Sequence, residues 1–239
     1  MKDILLDIVQ HTYGLGNIDL AKITGSDTET IINTIAEDRS VILEAKFKNP
    51  VAEFIGTFGM PNLGKLNTIL HIPEYNEDAQ ISITTQDNMP SGIHFENKVG
   101  DFKNNYRFMQ AEVVNEKLKA IKFKGVKWGI DIVPSVAAIQ RLKFQASANS
   151  EETTFIARLE NGNLKFYFGD PSNHAGNFIF ETNVSGSLSK SWSWPVSVVQ
   201  SILNLPGDKT FKISDEGAAM ITVDSGIADY NYIIPAQSK

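Results

Sequence analysis

The chain has 239 residues, enough for one large domain or two small ones. Hydrophobic residues make up 42%, aromatic residues 10% and charged residues 21%, which excludes the disordered, collagenous and membrane-embedded classes. The formal net charge of −6 and the absence of cysteine argue against a strongly basic nucleic-acid binder, a disulfide scaffold, a thiolate metal site and a cysteine nucleophile, and favour a cytoplasmic setting. The charge is uneven along the chain: residues 1–108 hold 9 basic and 15 acidic side chains, and residues 109–239 hold 13 of each.

In chain order, Leu5, Leu6 and Val9 mark a first short amphipathic helix, and Asp3 and Asp7 inside it rule out a signal-peptide core. Gly14-Leu15-Gly16 follows that helix and lacks a third glycine, so it reads as a helix C-terminal turn and not as a phosphate cradle. Residues 41–49 run apolar at strand length. Pro61 is placed in the first turn of a second helix whose Leu63, Leu66 and Leu70 share one face, and Pro73 ends it. Residues 79–86 alternate as a strand. The stretch 108–126 is read as a connector, partly strand. It contains Lys117, Lys119, Lys122 and Lys124, with Lys127 close by, without an acid among them, a pattern usual for a solvated face.

The second half repeats the first at an offset of 133: Ala138, Ile139 and Leu142 match Leu5, Leu6 and Val9, and Ile202-Leu203-Asn204-Leu205-Pro206 matches Ile69-Leu70-His71-Ile72-Pro73. The helix beginning at Pro134 turns Ser135, Ala138, Ile139, Leu142 and Ala146 to one side and Gln140, Arg141 and Lys143 to the other, with Phe144 intruding on the polar arc. Residues 153–170 form a hairpin about Asn161-Gly162, and 177–184, 209–214 and 218–226 are further strands. Pro195 opens a helix with Val196, Val199 and Leu203 on one face. Trp192 and Trp194 alternate on a strand, a core pattern that could otherwise be a sugar platform. The histidines His11, His71, His94 and His174 have no ligand spacing, no Walker-type loop occurs, and no nucleophile and base pair is readable. The expectation is an α+β fold that is not an enzyme and carries no cofactor or metal: two tandem similar domains, each with two short helices packed on antiparallel sheets.

The duplicated helix-strands-helix-strands unit, the IL-x-[IL]-P helix ends and the run Gly226-Ile227-Ala228-Asp229-Tyr230-Asn231-Tyr232-Ile233-Ile234-Pro235 resemble sliding clamps, the DNA polymerase processivity factors. The ending is similar to the last strand of proliferating cell nuclear antigen, and the length looks closest to clamps of T-even-type bacteriophages. The resemblance implies the DNA clamp fold, with an N-terminal domain at 1–107, a connector at 108–126 and a C-terminal domain at 127–239. It also implies a head-to-tail homotrimeric ring holding duplex DNA topologically and without sequence preference, loaded by an ATP-dependent clamp loader. The helices would line the hole, making Lys2, Lys65, Gln140, Arg141 and Lys143 DNA-facing, with Asp3 and Asp7 departing from a basic lining. A hydrophobic pocket between the domains would take the tail of a DNA polymerase, at positions matching Val41, Leu43, Ile233, Ile234 and Pro235, with Leu118 and Ile121 added from the connector. The rival expectation is a phage structural or assembly protein built of duplicated β-rich domains, and a third is a carbohydrate-binding module using Trp192 and Trp194.

Overall fold

The computed structural model describes residues 1–119 and 123–237, and divides into two units, Met1–Lys122 with Ser225–Tyr230, and Phe123–Asp224 with Asn231–Lys239. Ile121 of the expected partner pocket lies outside the described residues.

The first unit opens with α1 (Lys2–His11) and a 3-10 turn, Tyr13–Leu15, ended by Gly16 at φ 85°. Its strands β1 (Leu20–Gly25), β2 (Thr30–Ile35), β3 (Ile42–Phe47) and β4 (Gly56–Pro61) form an antiparallel run in the order β4-β1-β2-β3. Then come α2 (Leu63–Leu70) and a second antiparallel sheet, β5 (Gln80–Gln86), β6 (Met89–Glu96) and β7 (Lys103–Arg107). Helix α3 (Ala111–Lys117) follows. The second unit holds β8 (Ile130–Ile132), α4 (Val136–Ala148), β9 (Thr154–Glu160), β10 (Asn163–Gly169), β11 (Ala175–Glu181), β12 (Ser193–Pro195), α5 (Val196–Leu203), β13 (Asp208–Ile213) and β14 (Ala218–Asp224). One of its sheets runs β11-β10-β9-β12, and β14, β13 and β8 are successive neighbours in the other. The last strand, β15 (Ala228–Pro235), counts with the first unit through Tyr230 and with the second from Asn231.

The repeat at an offset of 133 is therefore structural. Helices α2 and α5 are both eight residues long and stand 133 apart, and the order helix, four strands, helix, three strands recurs from α1 to β7 and from α4 to β15. The cause is pattern, not propensity: α5 is VSVVQSIL, rich in β-branched residues that disfavour helix, yet Val196, Val199, Ile202 and Leu203 all bury on one side. Strand β10 alternates as strictly, with Leu164, Phe166 and Phe168 inside. There Phe166 stacks on Phe180 at 4.4 Å and meets Phe155 at 4.3 Å, within the core of the second unit. Asn161 at φ 51° and Gly162 at φ 75° make the tight β9–β10 turn that their sequence requires.

Three expectations are corrected. Pro61 ends β4 and does not start a helix, whereas Pro195 ends β12 and is also the N-cap of α5, one position before the helix proper; α2 begins only after Asn62, whose φ is 52°, and its first free N–H groups are met by Asp19, through its carbonyl to Leu63 N and its carboxylate to Gly64 N. Helix α4 starts at Val136, not Pro134, because Ser135 accepts from Ala138 N at 3.1 Å as its cap. The connector stretch read as partly strand contains α3 instead: Glu112 in the first turn and Lys117 in the last suit the helix dipole, and Val114 is its buried residue. Strands β1, β2, β4, β6, β7 and β8 have no counterpart among the expected elements, whereas β12 is the short strand expected about Trp192 and Trp194; β7, Lys-Asn-Asn-Tyr-Arg, buries only Tyr106 and has almost no apolar signal.

One polar cluster ties the ends of the first unit. The Asp7 carboxylate, 8% exposed, accepts from Tyr230 Oη at 2.8 Å and Ser225 Oγ at 3.0 Å. His11 lies 3.4 Å from the same carboxylate and stacks on the Tyr230 ring at 4.3 Å. A buried carboxylate is tolerated because hydrogen-bond donors replace its water. Removing it takes away the buried acceptor shared by the Tyr230 and Ser225 hydroxyls, so Asp7→Ala should lower the unfolding free energy by about 2 to 3 kcal/mol in urea titration, whereas the exposed Asp3→Ala should stay within about 0.5 kcal/mol.

Candidate nucleic-acid interface

Each of the four repeated helices buries one stripe and leaves the rest to solvent. Leu5, Ile8 and Val9 are buried on α1, Leu63, Leu66, Ile69 and Leu70 on α2, Ala138 and Leu142 on α4, and Val199, Ile202 and Leu203 on α5. These helices carry four basic residues, Lys2, Lys65, Arg141 and Lys143, against two acidic ones, Asp3 and Asp7, in a chain whose total is −6. Because Asp7 is buried and bonded, Asp3 is the only one of the two acids left exposed. The surplus of positive charge on the helices thus exceeds what the sequence suggests.

The expected DNA-facing residues divide by how freely they stand. Lys2 is half-buried, its ammonium donating to the Tyr75 carbonyl at 2.6 Å and to Asn76 at 3.3 Å. Lys65 is exposed on α2. Gln140, Arg141 and Lys143 are all exposed on α4, a helix without an acidic residue. The Arg141 guanidinium lies 5.5 Å from the Phe178 ring centroid, which orients it along β11 while leaving its N–H groups for other partners. Phe144 is 68% exposed and Val136 77% exposed on the same helix, so the outer side of α4 mixes cations with uncovered apolar surface.

The expected partner-binding residues are placed differently. In the first unit Val41 and Leu43 are core side chains, and Leu118 is buried at the end of α3. In the second unit Ile233 and Ile234 are buried in β15 and Pro235 at its end is exposed. The first unit also has an open cleft of about 370 Å³ that no sequence pattern announces, where Phe58, Met89, Phe108 and Met109 meet Arg107 and Glu112 beside α3. Phe58 and Phe108 stack at 4.4 Å within it, and Met89 is an exposed methionine. No periodicity links residues from β4, β6 and the segment after β7, and so the cleft is invisible in the sequence. Next to it the Tyr106 hydroxyl donates to the Pro61 carbonyl, and burial pushes that hydroxyl well above the usual tyrosine range.

Trp194 is buried and Trp192 half-buried, with its indole N–H donating to the Asp215 carbonyl at 2.8 Å, so the two rings do not form an exposed pair. Among the described residues no cluster of His, Asp or Glu could hold a metal ion, and no helix is long and apolar enough to cross a membrane.

No protein-family model and no curated protein matches the chain. Solved structures do. A structure of the C-terminal region of FEN-1 bound to A. fulgidus PCNA is similar over 100% of this chain and 97% of that one, with a TM-score of 0.73 and 11% identity. PCNA from Thermococcus kodakaraensis is similar over 99% of this chain and 97% of that one, with a TM-score of 0.71 and 10% identity. At that identity the likeness speaks for architecture, and it agrees with the duplicated order of elements: this chain has the α+β clamp fold of proliferating cell nuclear antigen, with two similar domains built of short helices and antiparallel sheets.

Proposed function

We propose that the chain is a sliding clamp of DNA replication, a non-enzymatic processivity factor that closes as a homotrimeric ring around duplex DNA. The observation that carries this is the charge on the repeated helices, net positive and largely uncompensated at the surface in an acidic clamp-fold protein. A ring that slides needs only a weakly attractive inner surface, since topology and not affinity keeps it on DNA, and an acidic remainder discourages sticking elsewhere. Arg141, Lys143 and Lys65 are the main DNA-facing cations in this reading, with Gln140 supporting. Lys2 contributes mainly by fixing α1 to the Tyr75 turn.

The ring would close through sheet edges. Strand β7 ends the three-stranded sheet of the first unit and β11 ends the four-stranded sheet of the second, each with one neighbour among the described residues. Adding β11 of one copy to β7 of the next is head-to-tail, and a heterologous contact of that kind closes when its rotation divides the circle. Partner recognition is proposed for each unit by itself, at Val41, Leu43, Leu118 and Ile121 of the first and at Ile233, Ile234 and Pro235 of the second, as places for the tail of a DNA polymerase or of an ATP-dependent clamp loader; the FEN-1 segment on A. fulgidus PCNA supports tail binding as a mode open to this fold. The finer form of this reading is a clamp of the T-even phage type, acting in the host cytoplasm. No observation favours the structural or assembly reading.

Light scattering over a dilution series should give about 79 kDa, three times the 26.4 kDa chain, falling toward the monomer as the protein is diluted; a monomer at every concentration would sink the ring. In a salt series on a short duplex, Arg141→Ala with Lys143→Ala should flatten the slope of log affinity against log salt by about one for each phosphate left without its cation, and an unchanged slope would remove α4 from the DNA face. Pro235→Ala, at an exposed site, should leave the unfolding midpoint in place and weaken capture of a polymerase tail peptide severalfold; equal affinity would take the end of β15 out of the pocket.

A further inference from the structure

The outward face of the β5-β6-β7 sheet is set by its register. Ser82 and Asn105 stand opposite His94, Gln80 and Lys103 opposite Glu96, and Arg107 opposite Gly92. Both nitrogens of the His94 ring point at oxygens that accept: Nδ1 lies 2.8 Å from Asn105 Oδ1 on β7, and Nε2 lies 3.1 Å from Glu96 Oε2 on β6. Lys103 on β7 reaches the other oxygen of Glu96 at 3.2 Å. A neutral imidazole has one N–H and can serve only one of two acceptors, while the imidazolium serves both.

We propose that His94 is a pH-set pin for the edge strand β7, joining it to β6 through Asn105 when the ring is protonated and releasing one of the two links when it is neutral. The charged groups facing it are Glu96 on its own strand and Lys103 and Arg107 on β7; β5 offers only the neutral Gln80, Ser82 and Thr84. The titration agrees with the geometry. The bond to Asn105 and then that to Glu96 raise the His94 pKa above its ordinary 6.5, and the bonds from His94 and Lys103 hold the Glu96 carboxyl below its ordinary 4.5. A raised histidine contributes its stabilisation fully below the unfolded value and loses it as pH rises through the folded one; a depressed carboxyl loses its own as pH falls through its folded value. The pin therefore operates between the two and loosens on the alkaline side. Since β7 has only β6 as a strand neighbour among the described residues, ordering it presets its other backbone edge for addition of another strand. That last step rests on the ring reading above; the pin itself does not.

Hydrogen exchange tests the pin on the intact chain. After correction for intrinsic rates, protection of the β7 amides bonded to β6 should fall about three- to tenfold, the population change that one hydrogen bond is worth, as pH rises through the His94 titration followed by NMR. His94→Gln should abolish that step, and Asn105→Asp, which adds a second carboxylate beside the ring, should move it to higher pH. Protection of β7 that ignores pH in the unaltered chain, or the same step in His94→Gln, would overturn the proposal. Mass measured in parallel separates the two readings: a monomer throughout that still shows the step retains the pin and refutes the ring.

Discussion

The constraint on which the structure depends is that its helices are too short to stand alone. With eight residues in α2 and α5, ten in α1 and thirteen in α4, none reaches the length at which helix formation in water becomes self-sustaining. Each exists because a sheet or a neighbouring helix covers one stripe of it. Backing by sheets fixes which side is hidden, and so fixes which residues can meet a ligand. The basic groups Lys65, Arg141 and Lys143 are outward because Leu66, Ala138 and Leu142 must be inward.

Charge is organised by the same geometry. A carboxylate on the solvent side of a helix would repel a polyanion, and the sequence places two on α1. Folding removes one of them from the surface by giving Asp7 two hydroxyl donors. The acidic excess of the chain therefore resides mainly outside the helices, so net charge alone is a poor guide to what the protein binds.

The duplication is legible because it is written in apolar spacing. Leu63, Leu66 and Leu70 against Val196, Val199 and Leu203 specify the same buried stripe twice, and the strict alternation of β9 and β10 specifies a hairpin. What fails to show has a common physical character. Strands such as β7 bury one side chain and are held by backbone pairing, which no side-chain pattern encodes. The exact starts of α2 and α4 depend on capping, and Asp19 caps a helix from a position 45 residues earlier than its partner Gly64. The role of Asp7 is hidden for the same reason: its partners Ser225 and Tyr230 stand 218 and 223 positions away. Of the candidate site, the α4 cations can be read from spacing, whereas the Phe58, Met89 and Phe108 cleft is assembled from separate elements.

The division of β15 has a consequence for biosynthesis. The first unit includes Ser225–Tyr230, so it cannot be completed until those residues have left the ribosome, well after the rest of the unit. Until then Asp7 lacks the Tyr230 hydroxyl that lies 223 positions downstream, and β3, whose neighbour in the sheet is β15, keeps an open edge. The second unit contains a long continuous stretch, Phe123–Asp224, and its β9–β10 hairpin closes locally. Long loop closure is slow and local pairing is fast, so the half made first is finished late, and a nascent chain stalled before residue 225 would carry an open sheet edge prone to pairing with other chains.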